Sequence, residues 1–139
     1  MKDVVARIAR LRALQAKLAQ AERVSVQTER NAAVDLEQAW ASRVRDAYTG
    51  HSRSGEEAVG RGAFVLNGEM KRRAVARDVE RLNEKVAEHD ARCLQRETEQ
   101  KVAERLFERR QARRRAEAMR KEQAELDELA RMGWLRGES

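Results

Sequence analysis

Proline is absent from all 139 residues, and cysteine occurs once, at Cys93. A single cysteine excludes an intrachain disulfide and fits a reducing compartment. With only His51 and His89 beside it, at unrelated spacing, no cluster of metal ligands can be assembled. Aromatic residues make up 4% of the chain, and Leu, Ile, Val and Phe together number 26 of 139, few for a globular core. No stretch is apolar for long enough to form a signal peptide or a membrane span, which predicts a cytosolic protein. These shortages exclude a sandwich, a barrel and most α/β enzymes.

What is abundant is helix-forming. Ala, Glu, Lys, Leu and Arg account for 82 of the 139 residues, a composition expected of long helices or coiled coil. Glycine supplies the punctuation: Gly50, Gly55, Gly60, Gly62 and Gly68 lie together, and otherwise only Gly133 and Gly137 occur. This spacing predicts an all-α fold, an elongated two-helix antiparallel coiled-coil hairpin with unequal arms forming one domain. Helix one is expected at about residues 2–47, the loop at 48–62, helix two at 63–132 and a tail at 133–139. Ser54 and Glu57 have capping-box spacing, so helix two alternatively begins early and is interrupted at Gly60–Gly62; Asn67 is another possible N-cap.

The first helix carries an apolar row of Val4, Ile8, Leu11, Leu14, Leu18, Ala21, Val24, Thr28, Ala32, Leu36, Trp40, Val44 and Ala47. Its mean step of about 3.6 residues matches a straight α-helix rather than a strict heptad. The complementary row of the second helix reads Leu66, Met70, Ala74, Val79, Leu82, Val86, His89, Cys93, Gln100, Ala103 and Phe107. Helix two outruns this pairing beyond residue 108 and should project by several turns, solvent-exposed or partner-bound. Pairs at i,i+4, such as Asp3 with Arg7, Glu69 with Arg73 and Asp127 with Arg131, support the helices.

Charge is uneven. Residues 105–121 hold eight basic and two acidic groups, and residues 122–139 two basic and five acidic. Folding back sets Lys2, Arg7, Arg10, Arg12 and Lys17 beside the basic run, so one end of the hairpin is positive. Cations in the first turns of a helix oppose its macrodipole, which favours a binding role for this end toward an acidic or polar partner over a merely solvated face. Trp40, Val44 and Tyr48 share a helical face near the loop, with Phe64 across it. They form either a clasp that closes the hairpin or a docking face. His89 and Cys93 fit buried packing roles. No nucleophile–base arrangement, phosphate-cradling loop or pocket supports catalysis, a cofactor or a small-molecule substrate. Nucleic acid is disfavoured by the interleaved acidic residues and the want of stacking aromatics.

Glu104-Arg-Leu-Phe-Glu-Arg-Arg110, Arg113-Arg-Arg-Ala-Glu117 and Arg120-Lys-Glu-Gln-Ala-Glu-Leu-Asp-Glu-Leu-Ala130 together form an arginine-rich helix closing on an acidic-leucine run. Over about residues 95–132 this resembles the FliJ family of flagellar type III export, which is related to the YscO-type stalk proteins of virulence secretion. The early phenylalanine of the flagellar pattern is missing. The resemblance implies a non-enzymatic, cytoplasmic stalk, held at the inner face of the membrane only through its partners. Those partners would be the hexameric export ATPase, the cytoplasmic domain of the export gate and export chaperones. It implies an ATPase-facing set of Arg7, Arg10, Arg105, Arg109, Arg110, Arg113, Arg114, Arg120 and Gln123. Trp40, Val44, Tyr48 and Phe64 become candidates for the gate contact. The rival readings are a generic coiled-coil scaffold or adaptor and a basic helical nucleic-acid binder.

Overall fold

The computed structural model describes residues 3–50 and 53–137. It holds two helices, α1 (Val4–Thr49) and α2 (Gly55–Leu135). They pack antiparallel as a two-helix hairpin, and no strand occurs among the described residues. The contacts divide into two compact units, one of Met1–Leu14 with Glu97–Ser139 and one of Gln15–Arg96.

Local chemistry sets the helix ends. Asp3 caps α1: its Oδ1 accepts from the Ala6 N–H at 3.4 Å and its carbonyl from the Arg7 N–H at 3.2 Å, satisfying donors that have no partner within the helix. At the other end Thr49 Oγ1 donates back to the Arg45 carbonyl at 3.0 Å. The Ser54 hydroxyl accepts from the Glu57 N–H at 3.1 Å, and Glu57 Oε2 accepts from the Arg53 N–H at 2.9 Å. This variant of the capping box starts α2 at Gly55, and Glu56 and Glu57 place negative charge on its first turn.

The expected loop at 48–62 is therefore too long, and α2 begins eight residues before residue 63, at the alternative start that Ser54 and Glu57 offer, without the interruption expected there. Gly60 and Gly62 sit inside the helix without breaking it, because a glycine weakens a long helix by only about 1 kcal/mol. Asn67 lies mid-helix and is not a cap. At the C-terminus α2 continues through Gly133 and Trp134 to Leu135. Gly137, at φ +74°, then turns the chain with its N–H donating to the Trp134 carbonyl at 3.1 Å.

The packing row differs from the expected one. In the larger unit, α1 contributes Ala16, Ala19, Arg23, Val26, Arg30, Ala33, Glu37, Trp40, Val44 and Ala47. Facing them from α2 are Arg61, Val65, Gly68, Arg72, Val75, Val79, Leu82, Val86, His89, Cys93 and Arg96; all of these residues are buried or half-buried. In the other unit, Val5, Ala9 and Arg12 face Gln100, Ala103 and Phe107. Along both helices the steps alternate between three and four, the 3.5-residue period of a left-handed coiled coil. From Val4 to Leu36 the expected α1 row lies one or two residues off this seam, and its large members Ile8, Leu11, Leu14, Leu18 and Leu36 are all exposed. On α2, Leu66, Met70 and Ala74 are likewise exposed, while the row from Val79 to Phe107 is placed as expected.

The seam is lean. Its buried members are Ala16, Ala19, Val26, Leu82, Cys93 and Ala103, together with Gly68. The arginine stems fill the rest while their heads reach water or carboxylates. Arg23 Nε bonds Asp90 Oδ1 at 2.6 Å, and Arg72 Nη1 lies 3.6 Å from Glu37 Oε1. Cys93 Sγ donates to Gln20 Oε1 at 3.7 Å. His89 Nδ1 is buried without a hydrogen bond, its nearest carboxylate being Glu22 at 3.9 Å.

Gly68 marks the tightest approach. A Cβ there would stand 2.8 Å from Val44 Cγ2, whereas at Gly60 or Gly62 it would meet nothing within 4 Å. Gly60→Ala and Gly62→Ala should each raise stability by roughly 0.5–1 kcal/mol in denaturant unfolding. Gly68→Ala should lower it, because the stiff valine cannot turn away without pushing the helices apart. The same assay checks the seam: Leu82→Ala should cost about 2–4 kcal/mol, and Leu11→Gln less than about 0.5 kcal/mol.

Candidate functional site

The unit that carries both chain ends brings α1 residues 3–14 against α2 residues 97–114. Asp3, nearly buried, lies 3.7 Å from Arg110 Nε and 3.4 Å from Arg114 Nη1. Sequence spacing had paired Asp3 with Arg7; the carboxylate instead reaches across to the other helix while its own end caps α1. Arg110 and Arg114 are thus partly neutralised within the chain. Arg12 Nη1 bonds Glu99 Oε2 at 3.1 Å.

The remaining candidates turn outward. Arg7, Arg105, Arg109 and Arg113 are exposed and form no ion pair among the described residues. Arg10, Arg120 and Gln123 are also exposed and bond only their own helices: Arg10 Nε to the Ala6 carbonyl, Arg120 Nε to the Ala116 carbonyl, and Gln123 Nε2 to Asp127 Oδ1 at 3.0 Å. Arg120 and Gln123 stand where α2 has run past the start of α1. Lys2 lies outside the described residues, and Lys17 belongs to the other unit.

Between the arginines lies an apolar surface, of which the sequence pattern assigned Ile8 and Leu11 to the core and passed over Val102 and Leu106. Ile8 (44% exposed) of α1 lines a groove with Val102 and Leu106 (52% each) of α2, and Leu11 (52%) is exposed three residues further along α1. This groove, of about 310 Å³, runs between Val5, Ile8 and Arg12 on one wall and Glu99, Val102 and Leu106 on the other. A second, of about 380 Å³, joins Val5 and Leu106 to Arg109, Arg110 and Arg113. Exposed leucines bordered by unpaired guanidinium groups suit an amphipathic partner with acidic residues. The signal that could have located this surface is the one-residue offset between the leucine row and a strict heptad.

The aromatic candidates divide. Trp40 is half-buried and held between two cations, Arg43 at 5.0 Å and Lys71 Nζ at 4.9 Å from the ring centroid. Val44 packs toward Gly68. Both are part of the helix–helix contact. Tyr48 (78% exposed) and Phe64 (46%) present their rings to solvent. The sequence therefore grouped two structural residues with two available ones.

Near Trp40, Glu69 is gripped by Arg72 through bonds of 2.9 and 2.5 Å, with Arg73 at 3.4 Å. The hydrogen bond to Arg72 is the chief cause holding the Glu69 carboxyl below its ordinary value of 4.5, and it raises the Arg72 guanidinium in turn. On α2 beyond residue 114, Glu128 likewise raises Arg131, the partner that sequence spacing had given as Asp127. Among the described residues no group of three or more His, Cys, Asp or Glu is placed to hold a metal ion, and no helix is long and apolar enough to cross a membrane. No family model matches the chain, and neither a curated protein nor a solved structure is matched significantly.

Because the Glu69 carboxyl is depressed in the folded state, its contribution is complete above 4.5 and is lost as pH falls through the lowered value. Glu69→Gln should therefore unfold at lower urea than the wild type at neutral pH. Its unfolding midpoint should also fall less steeply between about pH 5 and pH 3.

Proposed function

We propose that the protein is a non-enzymatic coupling stalk of a type III export apparatus, engaging the ring-shaped export ATPase through the unit that holds both chain ends. The observation that carries the reading is the joining of residues 3–14 and 97–114 into one surface, where Ile8, Leu11, Val102 and Leu106 are exposed beside Arg105, Arg109 and Arg113. The resemblance of residues 95–132 to the FliJ family supports it from the sequence side.

The mechanism is mechanical and electrostatic. Arg105, Arg109 and Arg113 are not committed to any carboxylate among the described residues, so their charge is available to acidic groups lining a ring. The apolar grooves add contact area once water is excluded. A stalk biases an ATPase only through unequal affinity for the conformations of the ring subunits. A basic surface broken by leucines interacts differently with each conformation that moves acidic groups toward or away from it. Tyr48 and Phe64, rather than Trp40 and Val44, are the aromatic groups left to meet the export gate. Export chaperones would be further partners of the same assembly.

Replacing Arg105, Arg109 and Arg113 together by Glu should weaken co-sedimentation with the assembled hexameric ATPase at least about tenfold. The helical circular dichroism should stay unchanged, because all three side chains are already in solvent. Undiminished binding by the triple variant, or no binding by the wild type, contradicts the reading. Retention on arbitrary DNA with a steep salt dependence would favour the nucleic-acid alternative instead.

A further inference from the structure

Asp3 makes its contacts at Arg110 and Arg114, and every described residue from 112 to 132 is exposed. Arg114 apart, this length of α2 forms no ion pair or hydrogen bond with α1 among the described residues, yet it is not polar all round. Ala112, Ala116, Met119, Gln123, Leu126 and Ala130 recur at alternating steps of four and three, the spacing of a coiled-coil seam. Met119 follows Phe107 by twelve positions, so it lies about 120° around the helix from it. Phe107 faces α1. The row of Met119 therefore points away from α1 and cannot be covered by it.

The same stretch has two halves of opposite sign: five basic and one acidic group over residues 112–121, then one basic and four acidic over residues 122–132. A parallel pair of such helices would set arginines against arginines. An antiparallel pair sets each basic half against an acidic one. We infer that this row is the seam of a reversible antiparallel dimer between two copies of the chain.

One register suits the shape and sets opposite charges together at its two ends, while Arg120 meets its own copy at the two-fold axis. With Met119 opposite Gln123 of the second copy, Ala116 meets Leu126 and Ala112 meets Ala130, small residues against larger ones or against each other. Arg113 then stands two residues, about 3 Å along the axis, from the level of Asp127 of the second copy, and Arg115 five residues, about 7.5 Å, from the level of its Glu122. The arrangement is two-fold symmetric, so every contact occurs twice. The seam from residue 112 to residue 130 is about 27 Å long and rich in alanine. It buries less than the roughly 800 Å² per partner of a standard interface. The dimer is therefore concentration-dependent, and it weakens with salt because charge pairs contribute much of the attraction.

The inference stands apart from the export reading, since no ATPase enters its test. Sedimentation equilibrium of the full chain at about 50 mM ionic strength should pass from monomer to dimer with concentration and shift back toward monomer at about 500 mM. Arg113→Glu with Arg115→Glu removes the positive excess of the basic half between residues 112 and 121, and Glu122→Arg with Asp127→Arg makes both halves basic. Each double variant should dissociate at least about tenfold more readily than the wild type. An equimolar mixture of the two should recover the dimer, since every reversed pair is again opposite in sign. Met119→Glu with Leu126→Glu should be monomeric with its helical content retained. A wild type that stays monomeric throughout, variants that dimerise as well as the wild type, or a mixture that fails to recover the dimer would each overturn the inference.

Discussion

The structure depends on close contact between two helices that have little to bury. The 3.5-residue seam is built from alanines, a glycine at the tightest approach, a few valines and leucines, and the aliphatic stems of arginines. Small residues bring the helix axes near one another. The arginine stems then cover the gaps, and their heads reach carboxylates on the opposite helix, as Arg12 does with Glu99, Arg23 with Asp90 and Arg72 with Glu37. Exposed ion pairs of this kind are each worth little. Their role is to fix which residue faces which, and a row of alanines leaves that choice open.

A seam of this make-up releases the large apolar side chains. Ile8, Leu11, Val102 and Leu106 are left on the flank because the core has no room for them and no need of them. Near the chain ends this flank lies beside arginines without internal partners, and farther along α2 a second apolar row faces away from the hairpin altogether. Exposed apolar flank and lean core are thus two consequences of one choice of residues at the seam. The same economy explains Gly68: its missing side chain admits Val44, so a residue of poor helix propensity is retained where the helices are nearest.

The two helices and their reversal were legible from the sequence, because an unbroken run of helix formers on each side of a glycine cluster leaves few other folds. The exact turn was less so. Four glycines over residues 50–62 read as a loop, yet the Ser54–Glu57 cap was strong enough to begin α2 ahead of three of them. The seam of α1 was misplaced for a physical reason. Its leucines follow 3.6 residues per turn and the packing follows 3.5. The two differ by about 20° per heptad, which over six heptads from Ala47 back to Val5 accumulates to about 120°, roughly one residue. The rows coincide at Trp40, Val44 and Ala47 and, from Leu36 back to Val4, lie one or two residues apart. Of the candidate site, the basic end was visible as a charge tally, but the diversion of Asp3 to Arg110 and Arg114 was not, since helix periodicity favoured a partner on the same helix.

Oxidative cross-linking to the resident Cys93 tests the seam most directly. Cys93 Sγ already lies 3.7 Å from Gln20 Oε1, whereas Leu18 is exposed on the flank. Under mild oxidation Gln20→Cys is predicted to form a disulfide with Cys93 within one chain, and Leu18→Cys to keep both thiols free. A Leu18→Cys chain that closes readily while Gln20→Cys does not would place the leucine row in the contact and contradict the account.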